Sequence, residues 1–255
     1  MLYPTVTSLY KYTVCKRAID IIQSSKIYYP VISKLNDPFD SALIISNNIP
    51  NRRRKKIQLN KFVTFMKTEH NITIDEDFIN ISDSKFNDLY SEYNKAISSS
   101  SEVLLSVSDN FGVISLSGDK NNPLLWSHYA NGHKGVAIEF ERTDTNLLGK
   151  ENICFPISYT SYLPEIDNVD IPTTIWKVKF GTKCDIWSYE KEWRILNANG
   201  NNEYDLPGNV KGIILGLNIT NRNCRKIKKC CEEKGIPVSK CIKVDNEYRL
   251  EIVPF

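Results

Sequence analysis

Absences narrow the field first. The chain holds no G-x-x-x-x-G-K-[ST], no G-x-G-x-x-G, no G-x-S-x-G and no H-E-x-x-H. That sets aside P-loop ATPases and kinases, Rossmann dehydrogenases, lipases of the nucleophile-elbow type and zincins. No run of about 18 apolar residues occurs, so no spanning helix and no membrane partner are expected. The opening MLYPTVTSLYKYTVCKR has no apolar h-region, and a cytoplasmic location is the expectation. The cysteines number 7, an odd count, and none form a C-x-x-C pair. Neither a disulfide framework nor a zinc ribbon fits that spacing; free thiols and no metal site are expected. The net charge of +3 is too small to demand a nucleic-acid partner. Repeats, low-complexity tracts and long linkers are also missing.

What remains is ordinary globular composition, 41% hydrophobic and 25% charged over 255 residues, enough for one large domain spanning 1–255. Residues 9–14 are rich in aromatic and β-branched side chains and predict a strand. Residues 15–23 carry Ala18, Ile19 and Ile22 at helical spacing. Residues 51–105 predict an inserted helical region, opening on the basic run 51–56 and continuing with Phe86, Leu89, Tyr90, Tyr93 and Ile97 on one helical face. Beyond Phe111 the pattern turns to sheet, with strands expected at 112–116, 135–141, 153–159, 174–180, 191–197, 210–217, 239–244 and 248–253. A helix at 221–234 ends at Gly235. Strands clustered after a helical half indicate an α+β class.

Four segments carry candidate chemistry. In Trp187-Ser-Tyr-Glu-Lys-Glu-Trp-Arg194, strand alternation would put Glu190, Glu192 and Arg194 on one face. Two adjacent carboxylates repel, which suits base work or stabilisation of a developing cation. The plainer reading is a solvent-facing strand with Arg194 neutralising a glutamate. In Leu9-Tyr-Lys-Tyr12, Tyr10 and Tyr12 share a face and offer rings for stacking, or simply half-buried strand positions. The turn Asn36-Asp-Pro-Phe-Asp40 gathers Asn36, Asp37 and Asp40, suited to a divalent metal, a ribose or its own backbone. Ser115 and Ser117 precede Leu124-Leu-Trp-Ser-His-Tyr-Ala130, in which Trp126, His128 and Tyr129 fall within about one helical turn. His128 fits a base, a donor or a structural histidine.

With LYKY, NDPFD, SLS…LLWSHYA…HKGVAIEF and YEKEWRI in this order, the chain resembles a widespread bacterial family of unknown function, over about residues 9–40 and 111–217. It has a more distant resemblance to ADP-ribosyltransferases, whose pattern is a strand-borne Arg, His or Tyr near the N-terminus, a Ser-x-Ser strand, and a late Glu, often Glu-x-Glu. That second resemblance implies a split mixed β-sheet flanked by helices around a cleft for NAD, here with a helical insertion. It implies Glu192 on the nicotinamide ribose, stabilising the oxocarbenium ion, and Glu190 orienting or deprotonating the acceptor. Tyr12 would stack on nicotinamide, and Ser115 or Ser117 would position Glu192. The NAD-contacting set is then Tyr10, Lys11, Tyr12, Asn36, Asp37, Asp40, Ser115, Ser117, Trp126, His128 and Tyr129. Lys11 departs from the family's Arg or His and lacks the planar fork of arginine.

The implied function is an NAD-dependent ADP-ribosyltransferase, by analogy a toxin or phage-defence effector, with a protein or nucleic-acid acceptor and an antitoxin partner. The basic segments 51–56 and 222–229 favour a polyanion or simply form a solvated face. The alternatives are a metal-dependent nuclease using Asp37, Asp40, Glu190 and Glu192 with Lys191 or Lys11, and a non-catalytic ligand-binding defence module.

Overall fold

The computed structural model describes residues 3–46, 50–73, 82–167 and 170–255. In chain order the elements begin with β1 (Ser8–Thr13), α1 (Cys15–Ser24), β2 (Lys26–Tyr29), β3 (Ile44–Ser46), α2 (Arg52–His70) and α3 (Asp83–Val107). They continue with β4 (Gly112–Ser117), α4 (Pro123–Tyr129), β5 (Val136–Glu141), β6 (Cys154–Pro156), β7 (Ser158–Thr160) and β8 (Glu165–Asp167). Next are α5 (Pro172–Gly181), β9 (Thr182–Cys184), β10 (Glu192–Asn197), β11 (Asn202–Asp205), β12 (Val210–Leu215), α6 (Asn221–Lys234), β13 (Val238–Lys243) and β14 (Leu250–Pro254). The class is α+β, with a large mixed sheet flanked by helices.

The chain divides into two compact units. One comprises Met1–Pro38, Asn110–Tyr159 and Lys183–Phe255, the other Phe39–Asp109 and Thr160–Thr182. The second takes in the expected insertion of 51–105, of which 74–81 lie outside the described residues.

In the first unit, eight strands among the described residues form one sheet in the order β14-β13-β12-β5-β1-β4-β10-β6. The β12–β13 pair is parallel because α6 carries the chain across between them; the helix stops where Gly235 takes φ 65°, a conformation glycine adopts without a Cβ penalty. Side-chain alternation sorts β1 between two cores. Leu9 joins Ile114, Ile138, Phe140, Trp193 and the inward faces of α1 and α6. Tyr10 and Tyr12 join Trp126, Leu125, Ala137 and Ile214 on α4's side. A sheet covered on both faces explains why both faces of β10 are buried.

The joint between β1 and β4 differs from its neighbours. β1 matches β5 over six residue pairs, and β10 matches β4 over six, but β1 and β4 share the single pair Tyr10–Ser117. Lys11 Nζ donates to the Ser115 carbonyl at 2.9 Å across this joint.

The second unit packs α2 against α3 through Leu59, Phe86, Tyr90, Tyr93 and Ile97, with Ile171 joining them. Residues 174–180 were expected to be a strand and are helical. Pro172 sits in the first turn of α5, where its fixed φ is already helical, and Ile175 and Phe180 bury along the helix, with Ile171 just before it. The helix α3 runs unbroken to Val107, through Ser98–Ser101, a stretch that reads as a polar break.

Candidate functional site

Glu190 and Glu192 come together, though not by strand alternation. Glu190 ends a 3-10 turn spanning Asp185–Glu190, and Glu192 begins β10. Between them Lys191 takes φ 43°, a left-handed conformation that non-glycine residues adopt where the surroundings impose it. The turn brings both carboxylates to one ammonium: Lys183 Nζ lies 2.7 Å from Glu190 Oε2 and 2.9 Å from Glu192 Oε2. Arg194 closes the group, with Nε 2.7 Å from Glu192 Oε1 and a second nitrogen 3.3 Å from Oε2. Glu190, Glu192 and Arg194 are 4%, 3% and 0% exposed, so the solvent-facing reading of this strand is wrong.

The electrostatics follow from that composition. Burial alone would raise the Glu192 carboxyl, because the charged form loses water. Arg194 and Lys183, aided by hydrogen bonds from Arg194 and Ser115, more than offset this and hold it down to about 2. Burial lowers the Lys183 ammonium, but the two glutamates raise it above its ordinary value overall. Burial lowers Lys11 to about 8, opposed in part by Glu192.

Other segments feed the same place. The Tyr129 hydroxyl donates to Glu190 Oε1 at 2.6 Å and accepts from Asn36 Nδ2 at 3.3 Å. Burial and Glu190 push the Tyr129 phenol up. Ser117 Oγ donates to the Glu190 carbonyl at 2.6 Å, and Ser115, which helps hold the Glu192 carboxyl down, lies opposite Arg194 in the β4–β10 pair. The Glu192 amide donates to the Tyr159 hydroxyl at 2.8 Å. LYKY, NDPFD, SLS, LLWSHYA and YEKEWR are therefore joined through Lys11, Asn36, Ser115, Ser117, Tyr129, Glu190 and Glu192.

Three expected contacts are corrected. Tyr12 is buried: its hydroxyl donates to the Asp119 carbonyl at 2.7 Å, and its ring meets Trp126 edge-on at 5.0 Å. Trp126 is 0% exposed, with Nε1 donating to the Lys120 carbonyl. Tyr10 is buried in the same cluster. Rings packed into a core cannot stack on a ligand without opening it, so these three shape the wall behind the site. His128 is exposed. Asp37 is buried in the first unit, whereas Asp40, which accepts from Ser41 Oγ, belongs to the second.

Lys183 and Tyr159 were missed. Lys183 is a lone lysine in a Thr-Lys-Cys strand, and nothing in its spacing marks it.

Among the described residues no three His, Cys, Asp or Glu side chains gather as a metal-holding group, and no helix is long and apolar enough to cross a membrane. Residues 125–195 match a family described as "Protein of unknown function (DUF2971)". The matched stretch runs from LLWSHYA into YEKEWRI and leaves out LYKY, NDPFD and SLS. The curated proteins gave no match to the chain, and the solved structures gave none.

Proposed function

We propose that the chain transfers ADP-ribose from NAD to an acceptor, with Glu192 and Glu190 as the acting carboxylates. The observation that carries this reading is a buried carboxylate, Glu192, held by Lys183 and Arg194 where five separated segments meet. A carboxylate at about 2 is fully charged at neutral pH. Its natural use is to stabilise positive charge that develops during a reaction, in a site where water no longer weakens the interaction.

In this reading the bond between the anomeric carbon and the nicotinamide nitrogen breaks, and nicotinamide leaves with the electron pair. A nucleophilic atom of the acceptor bonds to that carbon, and its proton passes to Glu190 or to solvent. Glu192 acts on the cationic character at the anomeric carbon. Glu190, bonded by Tyr129 and Lys183, orients the acceptor. In this reading Lys11, half-buried at the β1–β4 joint with its ammonium on the Ser115 carbonyl, would supply a cation for the NAD phosphates. The nuclease reading is weakened, because a metal would have to displace Lys183 from both glutamates and Arg194 from Glu192.

Incubation with NAD labelled in its adenine, in the presence of cell lysate, tests the reading. Nicotinamide should be released, and label should enter the protein or nucleic-acid fraction. Glu192→Gln should cut turnover by roughly a hundredfold or more with little change in NAD affinity, the scale for loss of a preorganised electrostatic group. Glu190→Gln should harm transfer more than NAD hydrolysis. Melting curves must accompany both variants, since each unbalances a buried ion group. Absence of both nicotinamide and label with the wild-type protein would overturn the proposal.

A further inference from the structure

Beside Glu190 stands a row of rings that the chemistry above does not use. His128, Tyr189 and Trp187 follow one another at centroid separations of 6.4 and 6.1 Å, with interplanar angles of 33° and 42°. His128 is exposed, and Tyr189 and Trp187 are half-buried. The row is fixed at several points. Asn122 Nδ2 donates to the Tyr189 carbonyl at 3.0 Å, and the Lys183 ammonium lies 5.1 Å from the Trp187 ring. Tyr129, which binds Glu190, stands 6.1 Å from His128.

Large aromatic side chains ordinarily bury their faces, as Tyr12 and Trp126 do here. Rings held half in solvent, tilted in succession and tied to a charged centre offer π-faces to something else. Cations lie on the two loops that the Asn122–Tyr189 bond joins. One is Lys120. The other is Lys191, which is 63% exposed and paired with Asp119; an exposed pair of this kind is weak enough for a phosphate to compete with it.

We infer that the acceptor held beside Glu190 is a single-stranded nucleic acid whose unpaired bases stack on His128, Tyr189 and Trp187. The inference rests on the proposed ADP-ribosyl transfer for the word acceptor, but the binding surface stands on its own geometry. A run of unpaired bases supplies one flat face per ring together with a phosphate for the neighbouring lysines. A duplex keeps its bases stacked on each other, and a peptide carries no such regular series of rings.

The test measures strand binding to the whole chain without NAD, so that it is independent of turnover. The probes are an oligothymidylate of about 12 nucleotides, an abasic strand with the same number of phosphates, and a duplex of the same length. The base-bearing strand should bind about tenfold or more tighter than the other two. Tyr189→Ala and Trp187→Ala should each weaken it by about 5- to 150-fold, the effect of losing one stacking partner. Trp187→Phe should recover most of the loss, and His128→Ala, at an exposed ring, should weaken binding with an unchanged melting temperature. Equal binding of base-bearing and abasic strands, tighter binding of the duplex, or no binding of any of the three would overturn the inference. Nicotinamide release by the wild-type protein, measured separately, shows whether the transferase reading fails with it or survives.

Discussion

In the unit that carries the sheet, Glu190 and Glu192 face Lys183 and Arg194, two anions against two cations, all four buried. In the helical unit, Asp167 and Asp170 are also buried. There Gln58 Nε2 donates to Asp167 at 2.7 Å and reaches Asp170 at 3.4 Å, and the Tyr90 hydroxyl donates to Gln58 at 2.5 Å. The cation beside Asp167 is Arg54, at 2.6 Å with its side chain 44% exposed. The two networks answer burial in opposite ways. Glu192 is held at about 2. Asp167 is raised, first by burial and then by Asp170, with Arg54 opposing. Burial pushes every carboxylate up; cations buried at its side decide which way its pKa moves overall. The first network maintains a charge at a price in desolvation, which suits chemistry. The second ties α2, α3 and β8 together through Gln58, Tyr90 and a partly exposed Arg54, which suits structure.

The largest expected effect follows from Lys183→Met. The substitution keeps the side-chain volume but removes the ammonium that both glutamates share, leaving Arg194 on Glu192. Breaking a buried ion group in this way costs about 3–5 kcal/mol, measurable by urea unfolding. Adding Glu190→Gln restores one anion to one cation and should recover much of the loss. A cost below about 1 kcal/mol for Lys183→Met would mean that the four charges are not a balanced set, and the contrast with the helical unit would fail.

The strands of the sheet, the helices α1 and α6 and the stop at Gly235 were legible in the sequence, because periodicity and glycine chemistry are local. The pairing of Glu190 with Glu192 was legible in outcome and not in cause. Alternation along a strand suggested it, whereas a left-handed Lys191 produces it. Lys183 was illegible, since its role depends on the 3-10 turn Asp185–Glu190 folding the chain back on itself, which no periodicity marks. The fate of Tyr10, Tyr12 and Trp126 was illegible for a related reason. An aromatic residue on a strand reads the same whether α4 covers that face or a ligand does. The aromatic row at His128, Tyr189 and Trp187 needed the same tertiary information.

Acid titration sharpens the comparison at a smaller scale. Glu192 has a folded value depressed from its ordinary 4.5 to about 2. Its stabilising contribution is therefore present above pH 4.5 and lost as pH falls towards 2. Asp167 has the opposite sign. Its folded value is raised above 3.8, so its contribution is full below that pH and is lost as pH rises through the folded value. Hydrogen exchange read by peptide should show β10 losing protection between pH 4.5 and 2 before α2 does. Loss in the reverse order would contradict the assignment of charge to the two networks.

The smallest effect is expected from Asp167→Asn. The amide keeps an oxygen for Gln58 Nε2 and nearly the same volume. It removes the repulsion between Asp167 and Asp170, and it gives up an ion pair with Arg54 whose side chain is 44% exposed. Pairs with that much water around one partner contribute about 0–1 kcal/mol, and the relieved repulsion acts in the other direction. Stability at neutral pH should therefore change by less than about 1 kcal/mol either way. Tyr90→Phe should cost more, about 1–3 kcal/mol, because it strands the buried Gln58 oxygen without its donor. This ranking, hydroxyl above carboxylate charge, is what a network held mainly by the Gln58 hydrogen bonds requires. If Asp167→Asn cost as much as Lys183→Met, the helical unit would hold a charged centre of its own, and the distinction between a charge kept for chemistry and a bond kept for structure would fall.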